Sequence, residues 1–229
     1  MKNKVFLILG GTGSVGSAIG DIVEKEGAIV CRHGFDAGDY QADLSKDGEA
    51  KKLIEKIIKD RGHLEGIINS ISAPVKIAPL EKKTWQDFEK HLSVQLKAGV
   101  DVILSALPSF KKQGGDIINI LTNYVVGDPP ASLSDYVTAK YAVLGFTKSL
   151  LRDLGKYQIR VNAVSPSFIR NQFTKDIPEK LDELLAAQSS LGRLTTVEDV
   201  AKAVLDLLQK GETGKHIIID GGHVEINSL

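Results

Sequence analysis

The stretch Lys4–Arg32, KVFLILGGTGSVGSAIGDIVEKEGAIVCR, changes character three times. KVFLILG is an apolar run of the kind that forms a strand covered on both faces. Ser14–Gly27 reads as a helix closed by a glycine, and AIVCR as a second strand. Between the first strand and the helix stand Gly10, Gly13 and Gly16. One glycine permits a tight turn, one lets backbone approach a pyrophosphate, and one lets helix and strand pack closely. Ser14 and Val15 open the helix, whose unpaired N–H groups and positive dipole end suit a phosphate. A plain turn is the bland alternative; the position after a first strand favours a dinucleotide loop.

The same alternation runs to the end of the chain. HGFDAGDYQADLS is polar and too short for a full crossover, and KDGEAKKLIEKIIKDRG has Leu53, Ile54, Ile57 and Ile58 at helical spacing. LEGIINSIS reads as a strand, residues 84–114 as a long helical region, and GDIINILT as a strand. The helix DYVTAKYAVLGFTKSLLRDLG and the strand IRVNAVSPS follow. PEKLDELLAAQS and TVEDVAKAVLDLLQKG read as helices, and HIIIDGG as the last strand. Apolar strands separated by helices predict an α/β fold: a Rossmann-like, doubly wound parallel sheet with helices on both faces. The 229 residues contain no repeat or linker, so one domain over 1–229 is expected. Ligands in such sheets bind beyond the carboxyl ends of the strands, so motifs that follow a strand are the site candidates.

Composition narrows the function. Residues are 42% apolar and 25% charged, with 29 basic and 29 acidic side chains, so no general nucleic-acid surface is indicated. No run approaches the ~20 apolar residues that span a bilayer, so no membrane partner is expected. MKNKVFLILGGTGS breaks into glycines without a cleavage site, and reads as a strand rather than a signal peptide. The single Cys31 leaves no internal disulfide and points to a reducing cytoplasm. The five histidines show no paired ligand spacing, so no metal is expected. At the second strand's end Arg32 and His33 stand where a ribose-binding acid is common. Arginine pairs with a 2′-phosphate, which favours NADP(H); Asp36 or Asp39 reaching a ribose would instead serve NAD(H).

GGDIINILT (114–122) and DYVTAKYAVLGFTKSLLRDLGKYQIRVNAVSPSFIRNQFT (135–174) resemble the short-chain dehydrogenase/reductase family, and the resemblance covers nearly the whole chain. These segments look most like beta-ketoacyl-carrier-protein reductases and related sugar or steroid alcohol dehydrogenases. LGRLTTVEDVAKAVLDLL and the closing IDGG are similar to the family's C-terminal end, while the first third looks like its compact, divergent members. The resemblance implies that Tyr136 is the catalytic tyrosine and Lys140 its lysine, which also holds the nicotinamide ribose. Residues four apart share a helix face. A nearby ammonium lowers a tyrosine pKa from its ordinary value near 10. Thr122 falls where the family has a serine that steadies the substrate oxygen, with Asn123 as a competitor. Gln95 replaces the usual asparagine of a water relay, and Asn69-Ser70-Ile71-Ser72 replaces a cofactor-contacting motif. Asn69 is a cofactor contact or a turn residue; Asp43 lies near the adenine or beside a Ser45 helix cap. Pro166-Ser167 replaces the usual proline-glycine, and Ile169 offers its backbone to the carboxamide.

Residues 168–192 follow the sixth strand and read as a substrate lid. Phe168, Phe173, Ile177, Leu181 and Leu184 point to a partly apolar substrate. Trp85 reads as a packing residue at a helix start. The function expected is hydride transfer between a nicotinamide and a small-molecule carbonyl or secondary alcohol, on the pattern of a 3-oxoacyl-carrier-protein reductase. The alternative is a non-catalytic NADP(H)-binding or redox-sensing protein of the same fold. The resemblance further implies a homodimer or homotetramer formed through the helices carrying Gln95 and Tyr136.

Overall fold

The computed structural model describes residues 1–171, 174 and 180–229. The chain alternates β1 (Val5–Leu9), α1 (Ser14–Lys25), β2 (Ile29–Gly34), β3 (Tyr40–Gln41), α2 (Glu49–Arg61) and β4 (Gly66–Asn69). It continues with α3 (Trp85–His91), α4 (Ala98–Gln113), β5 (Gly115–Ile120), α5 (Ser134–Leu154) and β6 (Ile159–Pro166). It closes with α6 (Lys180–Gln188), α7 (Val197–Lys210), β7 (Lys215–Asp220) and β8 (His223–Ser228). Among the described residues these strands form one eight-stranded sheet in the order β3-β2-β1-β4-β5-β6-β7-β8. Every pairing is parallel except β7 with β8.

Both faces of the sheet are covered. Val5, Leu7 and Leu9 point into a core shared with α2, α4 and α5, through residues such as Ile54, Val102 and Leu150. Phe6 and Ile8 point the other way, against Ile19 of α1 and Val204 of α7. The strand pleat sends alternate side chains to opposite faces, so an unbroken apolar run is what a doubly covered strand needs. Each such buried side chain contributes ~1.5–3 kcal/mol by leaving water. The chain adds strands outward from β1 to β3, then crosses back to place β4 on β1's other side. The reversal opens a crevice between the carboxyl ends of β1 and β4.

Three details differ from the sequence reading. The sheet gains an antiparallel edge, β8, whose six residues are all exposed. A strand exposed along its whole length carries little apolar signal, which is why the sequence reading ends its last strand at HIIIDGG. The long helical region is broken by a π-helical turn over Leu92–Lys97 between α3 and α4. Trp85 is exposed, because the capping box of Thr84 and Asp87, not the indole, starts α3. The short polar link after β2 does replace a crossover: β3 is two residues long and pairs directly with His33 and Gly34. Among the described residues no helix is long and apolar enough to cross a membrane.

Candidate active site

The crevice begins at the glycine loop. Gly10 has φ +69°, and a Cβ there would lie 2.9 Å from the Ser70 carbonyl oxygen at the end of β4. A Cβ on Gly16 would collide with the Gly10 carbonyl. The loop therefore folds back onto α1 in a way only glycine allows. Gly13 caps α1 without a side-chain hydrogen bond, so the first helical N–H groups lack a side-chain acceptor there. Gly13, Ser14, Val15 and Gly16 border a cleft of about 600 Å³ that runs from this loop past Ser70 to the carboxyl ends of β5 and β6.

Thr122, Tyr136 and Lys140 line the far end of the same cleft. Thr122 follows β5, while Tyr136 and Lys140 lie one turn apart on α5. The buried Lys140 ammonium donates to the Ile120 carbonyl at 2.9 Å and stands 5.9 Å from the Tyr136 ring centre. Burial pulls its pKa down to about 8. Contrary to the lowering expected from a nearby ammonium, burial pushes the Tyr136 phenol up to about 12; the Thr122 hydroxyl acts in the opposite direction, and Tyr124 reinforces the rise. The tyrosine is thus protonated at neutral pH, with a buried cation and a hydroxyl set around it. This arrangement suits proton donation to an oxygen placed in the cleft.

Ser70 and Ile169 line the cleft. Asp43 borders an adjoining hollow of about 340 Å³ beyond the β2 end, which shares Gly10, Gly13 and Ser70 with the main cleft. There its carboxylate accepts from the Ser45 N–H and hydroxyl, and these bonds hold its pKa below the usual range. Three other residues stand elsewhere. The Arg32 guanidinium binds Glu24 at 2.6 Å and Asp21 at 2.7 Å on the α1 surface and borders neither hollow. Asn69 is buried, donating to Asn119 at 3.0 Å and accepting the Ile71 N–H at 3.4 Å, so it ties β4 to β5 and holds the following turn, the second of its two expected roles, instead of facing the cleft. Gln95 is buried outside the cleft lining, with its amide nitrogen 2.9 Å from His91 Nδ1. Asn123, the competitor of Thr122, does not border the cleft. Of the lid residues, Phe168 lines the cleft, and Phe173 and Ile177 lie outside the described residues.

The cleft also holds residues that the sequence reading missed. Tyr124 stands beside Thr122, and burial raises its pKa. Its signal was present in LTNYVVG, four residues past the end of β5. Val75, Ile77 and Leu133 add an apolar wall. His33 lines the smaller hollow with Nδ1 unpaired among the described residues, and Phe35 projects beside it. A glycine cradle that a Cβ would fill and an open helix end fit a dinucleotide.

Comparison with known proteins agrees. A family model described as enoyl-(acyl carrier protein) reductase matches residues 14–224. The chain is 28% identical to the 3-oxoacyl-(acyl-carrier-protein) reductase FabG of Thermotoga maritima, covering 98% of this chain and 99% of the relative. It is 30% identical to carbonyl reductase family member 4 of Xenopus laevis, over 96% of this chain and 98% of that one. The ligand-free aldohexose dehydrogenase of Thermoplasma acidophilum shares the fold, with a TM-score of 0.87 at 23% identity over 96% of this chain and 94% of that one.

Proposed function

From the premise that the chain belongs to the short-chain dehydrogenase/reductase family and interconverts carbonyls and alcohols, we propose a residue-level mechanism. The observation that carries it is the meeting of Thr122, Tyr136 and Lys140 in the cleft bordered by the glycine loop. Gly10, Gly13, Ser14, Val15 and Gly16 hold the dinucleotide phosphates, and Lys140 and Ile169 hold the nicotinamide end. The bound nicotinamide supplies the hydride. Thr122 donates a hydrogen bond to the substrate oxygen, and Tyr136 gives it a proton. Lys140, charged below about pH 8, stabilises the phenolate that remains. Gln95 supports a water relay beside the helix that carries Tyr136.

The finer cofactor assignment is NADP(H) over NAD(H), and it rests on Arg32. Its guanidinium must exchange Glu24 and Asp21 for a 2′-phosphate, so the preference is smaller than a free arginine would give. The apolar wall of Val75, Ile77, Leu133 and Phe168 supports a partly apolar substrate, such as a 3-oxoacyl thioester. Residues 168–192 act as its lid within a single domain. The assembly is a homodimer or homotetramer through α4 and α5, where Leu104 and Tyr141 are exposed.

Replacing Tyr136 tests the central claim. Tyr136→Phe should lose ~10²–10⁴-fold in turnover with ketone substrates, the usual worth of a positioned general acid, while binding of NADPH persists. Wild-type protein that binds NADPH yet turns over no ketone, aldehyde or alcohol in a broad panel would instead support a purely binding or sensing role.

A further inference from the structure

Outside the cleft lining, Lys83, Asp135, His91 and Gln95 form a buried polar chain that ends against the catalytic tyrosine. The Lys83 ammonium binds the Asp135 carboxylate at 2.7 Å and the Lys76 carbonyl at 2.6 Å, and both charged side chains are almost fully buried. The other Asp135 oxygen accepts the Tyr136 backbone N–H at 2.9 Å. His91 stands between Asp135 and Gln95. Its Nε2 is 3.8 Å from the Asp135 carboxylate, and its Nδ1 is 2.9 Å from the Gln95 amide nitrogen. An amide nitrogen only donates, so Nδ1 accepts, and the neutral ring carries its hydrogen on Nε2, facing the carboxylate. The same ring packs edge-on against Tyr136, with 5.9 Å between centres.

This geometry has a consequence for Gln95. With its N–H committed to His91, its Oε1 is a buried acceptor with no partner among the described residues. An unpaired buried acceptor costs ~1–3 kcal/mol. Gln95 is carried on the π-helical turn, an element that packs against α5. Turns of this kind recur at functional sites.

We propose that His91, oriented by the Lys83–Asp135 ion pair, is a positioning residue that keeps Gln95 Oε1 open toward the catalytic helix, and that protonation of His91 reverses the Gln95 amide. A proton on Nδ1 turns that acceptor into a donor. The amide must then rotate, giving its oxygen to His91 and leaving N–H where the open acceptor had been. Asp135 favours the imidazolium, whereas Lys83, Lys90 and Lys140 oppose it. Burial is the largest influence and also opposes it, so the ring takes its proton only below its ordinary 6.5. Activity is therefore lost on the acid side as His91 charges.

The inference rests on the oxidoreductase reading for its kinetic part, but not for its structural part. Nitrogen-15 NMR of the full chain without substrate should show the Nε2–H tautomer of His91. The Gln95 side-chain amide signals should move with the same midpoint, below pH 6.5. Gln95 signals that stay flat through the His91 titration overturn the proposal. In turnover, kcat should fall with that midpoint. His91→Leu should lose up to ~10²-fold in kcat, as expected for a misplaced supporting group, with cofactor KM unchanged. His91→Asn, which offers a non-titrating acceptor near the Nδ1 position, should rescue most of that loss and abolish the acid limb. An acid limb that persists in His91→Asn also overturns the proposal. Absence of all turnover in the wild type would sink the oxidoreductase reading, and the NMR result would still decide the His91–Gln95 coupling.

Discussion

Tyr136 and Lys140 pay for their position with perturbed ionisation. Burial holds the lysine down at about 8 and the tyrosine up at about 12. For Lys140 the unfolded chain binds the proton more tightly, so its burial weakens the fold at neutral pH. That penalty is relieved as pH rises from about 8 towards the ordinary 10.5. Lys140→Met should therefore melt higher than wild type at pH 7, with an advantage that shrinks above pH 8, and should lose turnover. A melting series across pH 7–10 checks both signs. Tyr136 acts oppositely: between the ordinary 10 and about 12 the unfolded chain gives up a proton that the folded chain keeps, so stability falls there. Arg32 has a separate test. Asp21→Asn with Glu24→Gln should release its guanidinium and tighten NADPH binding relative to NADH, and Arg32→Ala should reverse that; equal effects on both cofactors would remove the preference. The tyrosine–lysine pair is legible in SDYVTAK because both residues ride one helix face. The partners of Arg32 are not legible, because they depend on how α1 packs beside β2.

The strand–loop–helix unit of β1 and α1 carries its own instructions. Gly16→Ala would drive a methyl group into the Gly10 carbonyl, where neither side is a flexible side-chain end. Reduced stability together with loss of dinucleotide binding is expected, read by melting and by cofactor titration. The α3–α4 region shows the opposite case. Its apolar spacing reads as one helix, yet the backbone widens into a π turn over Leu92–Lys97. Periodicity does not reveal that turn, since it spans only six residues, shorter than the roughly 11–18-residue window over which an apolar period can be read. The Lys83–Asp135 pair that joins this region to α5 is buried on both sides. Removing one partner strands the other charge, so Lys83→Met should cost ~3–5 kcal/mol in denaturant unfolding. The double variant Lys83→Met/Asp135→Leu should recover much of that loss.

At the scale of the molecule, one sheet places the glycine loop and the helix carrying Tyr136 and Lys140 at the carboxyl ends of its strands. The crevice exists because β4 returns to the far side of β1. Assembly has a whole-molecule test: Leu104→Glu with Tyr141→Glu should give a smaller species by sedimentation if α4 and α5 form the interface, and an unchanged species would exclude that face. The amino-acid sequence by itself determined the alternation of strands and helices, the glycine cradle and the Tyr136–Lys140 spacing. Each depends on residues close along the chain, where apolar period and backbone freedom act directly. Only the tertiary structure decided that Arg32 faces α1, that Asn69 braces β5, that β8 closes the sheet and that His91 lies between Asp135 and Gln95. Those outcomes depend on which distant polar groups become neighbours once water is expelled. Burial then makes each of them take whatever partner the packing brings within reach.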